Sequence, residues 1–171
     1  MKMMERRFVV DTTVGKLAKW LRGLGFDTTL FPGRDLHRLV QIALEEDRTI
    51  LTRNRALEAK LFLGNIFIVR ENKPELQVAA VLQGLGLEVD PGKFLCRCLL
   101  CNSPLEEVSR DDVEGRVPEY VYHTHRVFRQ CPSCGRIYWE GTHPARMREK
   151  IKNILDSAGI QPASVSTTDL G

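Results

Sequence analysis

Phe8-Val9-Val10-Asp11, running on through Thr12-Thr13-Val14-Gly15-Lys16-Leu17-Ala18-Lys19-Trp20-Leu21-Arg22-Gly23-Leu24-Gly25, is a β-rich run that ends on a carboxylate and passes directly into a helix-period segment. Arg7 to Val10 reads as a strand. Thr13 to Leu24 reads as a helix with Leu17, Trp20, Leu21 and Leu24 on one face, ended by Gly23 and Gly25. The same alternation repeats down the chain. Strands are expected at Asp27–Phe31, Thr49–Thr52 and Ile66–Val69, and helices at Asp35–Glu46, Asn54–Leu63 and from Pro74 to about Leu85. Strands that alternate with helices call for an α/β fold with a mostly parallel sheet and helices on its faces.

The pattern changes near residue 90. Beyond Val89-Asp90-Pro91-Gly92 come cysteines, turns and short extended runs at Val121-Tyr122 and Arg126-Val127-Phe128, then a basic helix over about Pro144 to Ser157. The division expected is a sheet domain over 1–90, a cysteine-bearing module with its helix over 91–157, and a small, polar, disordered tail over 158–171. No apolar run is long enough for a membrane helix. The basic start Met1 to Arg7 is followed by too short an apolar run for a signal peptide, so the expected location is the cytoplasm. The net charge of +3 permits an anionic partner without requiring one.

Five cysteines, an odd number, argue against a disulfide framework and toward metal. Cys98-Leu99-Leu100-Cys101 and Cys131-Pro132-Ser133-Cys134 form two Cys-x-x-Cys pairs. A two-residue gap lets one tight turn present two sulfurs to one ion, and four thiolates leave no open position, which is the signature of structural zinc. Asn102 and Gly135 suit the left-handed turn after each pair. Arg97, Arg129 and Arg136 can offset the excess negative charge of the thiolates. A hairpin or short insertion has to fill the long gap between the pairs, and Cys96 is left as a spare thiol. His123 and His125 are expected to share one solvated strand face, and His143 before Pro144 to start the last helix; none is needed as a ligand.

Ligands of an open parallel sheet bind beyond the carboxyl ends of its strands. Those ends carry Asp11, Arg34-Asp35, Thr52-Arg53-Asn54-Arg55 and Arg70-Glu71-Asn72. Hard oxygen donors on one rim suit Mg²⁺ or Mn²⁺, and arginines suit phosphate, so the combination points to metal-assisted phosphodiester cleavage. Asp11, Asp35 and Asn54 also stand where helix caps stand, and capping alone accounts for each of them equally well. Lys16, Lys19 and Arg22 belong to the polar side of the first helix, a face that is either merely solvated or guides a nucleic-acid backbone. The basic run Arg146, Arg148, Lys150 and Lys152 has the same two readings. A haloacid-dehalogenase-like phosphatase needs a second aspartate two residues after Asp11, and Thr13 stands there.

The opening stretch, with Ile50-Leu51-Thr52-Arg53, Arg97 to Asn102, Val117 to Tyr122 and Cys131 to Trp139, resembles the Mut-7 C-terminal RNase domain family over about residues 8–150. The resemblance implies a PIN-like nuclease fold followed by a zinc ribbon, single-stranded RNA as substrate, and a divalent-metal site. By position it makes Asp11 and Asp35 the metal ligands. Asn54, Glu71 and Glu75 then assist as catalytic residues, and Lys16, Lys19, Arg22 and Arg53 contact RNA. The family pattern has Asp after Leu-Thr-Arg where this chain has Asn54, and an amide oxygen ligates without bringing charge. A second expectation therefore stands beside the nuclease: an RNA-binding zinc-ribbon protein whose nuclease site has decayed.

Overall fold

A computed structural model describes residues 5–63 and 65–164. Its first half is a four-stranded sheet of β1 (Arg7–Asp11), β2 (Asp27–Phe31), β3 (Thr49–Thr52) and β4 (Ile66–Ile68), all parallel, in the order β2-β1-β3-β4. β1 lies inside the sheet and is buried on both faces, with Phe8, Val9 and Val10 at most 1% exposed. That is why it reads as a continuous apolar run rather than an alternation.

The helices divide between the two faces. α1 (Gly15–Gly23) enters through a 3₁₀ turn at Thr12–Val14 and packs Leu17 and Leu21 with Phe8, Val10 and Leu51. α3 (Pro74–Gly84) joins the same face through Val78, Val81 and Leu82. On the opposite face α2 (Leu36–Glu45) packs Leu39 and Ala43 against Val9 and Ile50. After β2 the chain crosses over β1 to reach β3, so the strand order reverses between β1 and β3. In an open parallel sheet that reversal opens a crevice beyond the strands' carboxyl ends.

The third helix expected from the sequence differs in kind. Arg55–Leu63 is a 3₁₀ helix. Within Arg55–Lys60 only Leu57 is buried, so no apolar stripe is there to hold an α-helix against the sheet.

The second half forms a three-stranded antiparallel sheet in the order β5-β6-β7, from β5 (Glu106–Val108), β6 (Phe128–Gln130) and β7 (Ile137–Trp139). The extended run expected at Val121-Tyr122 is instead a short helix, α4 (Glu119–Thr124), started by Pro118. It buries Val121 against Val113 and Phe128, a small core of its own. The strand face expected for His123 and His125 is corrected with it: His123 lies in α4 and His125 caps it. β5, a 3₁₀ turn at Asp111–Val113 and α4 together fill the gap between the cysteine pairs.

The last helix, α5 (Thr142–Ala158), does not pack with this small core. Its buried Met147, Ile151, Ile154 and Leu155 belong to the cluster of Leu17, Leu21 and Val78 on the first sheet. Residues that the sequence groups with the second module thus complete the core of the first. Of the expected tail, Gly159 ends α5 in a left-handed conformation, and Ala163 N–H donates to Val89 O at 2.8 Å. Residues 165–171 lie outside the described residues.

Candidate active site and metal centre

Asp11 ends β1 at the reversal point and is 5% exposed. Its Oδ1 accepts from Thr13 N–H at 3.0 Å and from the Thr13 hydroxyl, and its Oδ2 accepts from the Thr52 hydroxyl at the end of β3. The network continues outward. Arg53 N–H donates to Thr13 Oγ1 at 2.9 Å, Asn54 N–H donates to Thr52 Oγ1 at 2.9 Å, and the Arg53 guanidinium donates to Asn72 Oδ1. A buried carboxylate is thereby fixed across the crevice by two threonines. Beside it, Arg53, Arg55 and Arg70 line a cleft over the end of β4. Glu58 ties Arg55 and Arg70 at 3.3 and 3.5 Å. The result is a guanidinium-rich wall next to one buried carboxylate.

The other expected site residues make contacts of their own. Asp35 is exposed and caps α2, accepting from His37 N–H at 2.9 Å and Arg38 N–H at 3.3 Å. Asn54 Oδ1 accepts from Ala56 N–H at 3.0 Å. Glu71 Oε2 accepts from Arg70 N–H at 3.1 Å. Glu71 and Glu75 line a groove between α3 and α5. Among the described residues Asp11 belongs to no group of three or more His, Cys, Asp or Glu side chains close enough to hold one ion. Asp11 fits as an anchor for Mg²⁺, an ion often held by one or two carboxylates together with water and substrate phosphate.

Of the basic residues, Lys16 and Lys19 are exposed on α1 as expected. Arg22 is not: it is 7% exposed and turned inward. Its Nε donates to Thr28 O at 2.8 Å and its Nη1 to Leu99 O and Leu100 O at 2.9 and 3.1 Å. Burial lowers its pKa, partly offset by the nearby Cys98 and Cys101 thiols. The expected RNA contact is corrected to a clamp that holds the first cysteine turn against the end of α1.

The four cysteines do converge. Their sulfurs all lie within 4.8 Å of one another, and Cys98 Sγ is 3.8 Å from Cys134 Sγ. A tetrahedron with metal–sulfur bonds of about 2.3 Å spaces its sulfurs about 3.8 Å apart, so the set suits a structural metal such as zinc. The two turns are built alike. Asn102 N–H donates to Cys98 O and Gly135 N–H to Cys131 O, both at 2.9 Å. Asn102 and Gly135 adopt φ of 68° and 73°, the left-handed conformation expected of them. Cys98 and Cys131 are buried, while Cys101 and Cys134 face solvent.

Electrostatics shows why such a set needs a cation. Burial pushes the Cys98 thiol up, but the Tyr138 hydroxyl 3.1 Å away and neighbouring N–H groups outweigh it and bring it down to about 6. Cys101, sharing a hydrogen bond with Cys134, partly desolvated and facing ionised Cys98, is pushed up to about 12. Four thiolates at this spacing ionise together only around a metal.

Asn102 also joins the cysteine module to the sheet. Its Oδ1 accepts from Thr28 N–H at 2.8 Å and its Nδ2 donates to Asp27 Oδ1 at 2.6 Å. Arg48 Nη1 donates to the same Asp27 oxygen at 2.7 Å and to Phe8 O at 3.1 Å. Burial raises the Asp27 carboxyl, and the bonds from Arg48 and Asn102 more than reverse that, leaving it below the ordinary carboxylate range. The first cysteine turn therefore docks where the strands begin, at the opposite end from Asp11.

Sequence reasoning found Asp11 and the turn role of Asn102 but missed Thr13 and Thr52, which hold Asp11, and the docking of the metal module by Asn102, Asp27 and Arg48. Thr52 carried a signal, being the last strand residue beside the strand-order reversal. Asp27 and Arg48 carried none.

The structure is an α/β domain with a carboxylate at the reversal point of its parallel sheet, joined to a four-cysteine cluster that suits a structural metal. The chain belongs to the Mut7-C RNAse domain family, whose model matches residues 6–151. It is also similar to the human protein described as "Exonuclease mut-7 homolog", 22% identical over 229 aligned positions that cover 89% of this chain and 26% of the relative. The chain thus spans about a quarter of that relative's length. No solved structure matches it.

Proposed function

We propose that this chain is a metal-dependent ribonuclease that hydrolyses phosphodiester bonds of single-stranded RNA in the crevice at Asp11. The observation that carries this reading is the buried Asp11 carboxylate, gripped by Thr13 and Thr52 at the reversal point beside the Arg53, Arg55 and Arg70 cleft. Family membership and the name of the human relative support it.

The arginine forks bind and orient the phosphodiester, and Arg53 is itself steadied by Asn72. Lys16 and Lys19 extend the basic path along α1. Asp11 keeps acceptor capacity beyond its three hydrogen bonds and would hold Mg²⁺ or Mn²⁺ together with substrate oxygens. When bound, the ion supplies an activated water and stabilises the leaving oxygen. Zinc at Cys98, Cys101, Cys131 and Cys134 is structural, and a reducing compartment such as the cytoplasm keeps those thiolates available.

The test is cleavage of a generic single-stranded RNA in Mn²⁺ by wild type, Asp11→Asn and Asn54→Asp. Loss of cleavage in Asp11→Asn supports the proposal; cleavage that survives it overturns the site.

One observation favours a second reading, an RNA-binding protein with a decayed site. Asn54 brings no charge, and its oxygen is spent on capping Ala56. RNA retardation without cleavage in either Mg²⁺ or Mn²⁺, with a large gain of cleavage in Asn54→Asp, selects this reading.

A further inference from the structure

Between the antiparallel sheet and α5 lies a cavity that the catalytic crevice does not use. Leu95, Leu99, Leu105 and Met147 form its apolar floor, Tyr138 and Trp139 add aromatic walls, and Val127 stands at its lip, 57% exposed. Its surroundings are cationic. Arg97, Arg129 and Arg148 line it against a single acid, Glu140. Glu140 is already taken by Arg148 Nη2 at 2.6 Å, and Arg129 forms no ion pair among the described residues. Arg148 Nε is the one buried side-chain N–H without a hydrogen-bond partner among the described residues. Leu95 reaches the floor from a left-handed backbone, φ 57°, that its N–H secures by donating to Gly23 O at 2.8 Å. A bulky residue adopts that conformation only where its surroundings hold it.

We infer that this cavity binds one unpaired nucleobase of an RNA strand, with the flanking phosphates on Arg129 and its neighbours. The inference rests on the RNA reading given above. A flat heterocycle matches apolar and aromatic walls, and arginine guanidinium planes beside them add stacking and cation–π contact. The flanking phosphates answer the surplus of arginine over acid. Because Leu95 is tied to the end of α1, the cavity lies at the strand-start end of the first sheet. A strand engaged at Asp11 therefore reaches it only with several nucleotides beyond the crevice. The cavity acts as a holding site for the strand, separate from the chemistry.

The experiment measures anisotropy of a fluorescein-labelled octaribonucleotide, and of an abasic octamer of the same backbone, on zinc-loaded Asp11→Asn chain. Val127→Asp places a carboxylate at the exposed lip without touching the core, and Arg129→Gln removes one free cation. The expected result is that Val127→Asp weakens binding of the normal octamer by roughly tenfold. It should change binding of the abasic octamer much less, and Arg129→Gln should weaken both. Equal losses of both octamers in Val127→Asp point to backbone contact alone and overturn the base pocket. So does an unchanged affinity for the normal octamer. If the parent chain binds no RNA at any concentration tested, the RNA reading itself falls and the pocket assignment falls with it. If binding persists but ignores Val127, only the pocket assignment falls.

Discussion

Asp11 combines two roles that the sequence could not separate. It caps the turn into α1 through Thr13 N–H, and it is locked to β3 through the Thr52 hydroxyl. Thr52→Val keeps the side-chain volume but removes a donor to Asp11 and the acceptor for Asn54 N–H. We expect a stability loss of about 1–2 kcal/mol in urea denaturation. We also expect a fall in RNA cleavage of roughly ten- to hundredfold, carried mainly by kcat, because the carboxylate loses its fixed orientation. Asp11 was legible because it directly follows an apolar run in a strand-helix pattern. Its threonine partners were not, because a hydroxyl at a strand end has no distinguishing context until the strand order is known. Asp27 makes a second prediction. Its folded-state pKa lies below its unfolded value, so its contribution to stability is present above the ordinary carboxylate range and is lost as pH falls through the folded value. The stability difference between wild type and Asp27→Asn should therefore be constant near neutrality and shrink below about pH 4. Thermal melts of the two proteins across pH measure it, with the difference read because the cysteines protonate in both.

Thr13 to Leu24 was read as one helix ended by glycine, and that much was in its pattern. Its polar face was misread, because Arg22 sits on the helix among charged neighbours, and only the tertiary fold shows the three carbonyls that take it inward. Arg22→Lys loses the fork that spans Thr28, Leu99 and Leu100. It should cost about 2–3 kcal/mol by chemical denaturation, while Lys19→Ala on the exposed side should cost under about 0.5 kcal/mol. Gly25 closes the same segment with φ +95°, and a Cβ there would meet the backbone oxygen of Lys93 at 2.7 Å. Gly25→Ala should destabilise by about 2 kcal/mol or more, since strain and collision add. The cysteine turns were legible in full because metal chemistry constrains spacing locally. The gap between them was not: α4 reads as extended in Val121-Tyr122, and its helical start depends on Pro118 and on Val121 finding Val113 and Phe128.

The two halves of the molecule do not behave as independent modules. The first cysteine turn is bonded to Arg22, Thr28 and Asp27, and α5 lies in the core of the first sheet. Metal removal should therefore be felt throughout. We expect one zinc per chain by mass-spectrometric metal analysis. Chelation should lower the melting temperature of the whole chain in a single transition rather than split off a low-temperature shoulder. Composition and spacing marked a boundary near residue 90, where the pattern of residue types does change. They could not show that the chain comes back, because the stripe of Met147, Ile151, Ile154 and Leu155 on α5 reads the same whichever core it serves. That return has a consequence for biosynthesis. All four strands of the parallel sheet leave the ribosome before Thr142 is made, so the nascent sheet waits with Leu21 and Val78 uncovered until the final helix emerges. During that interval the growing chain displays an apolar face of the kind that recruits chaperones or seeds aggregation, and the speed of translation through the cysteine module sets how long the exposure lasts.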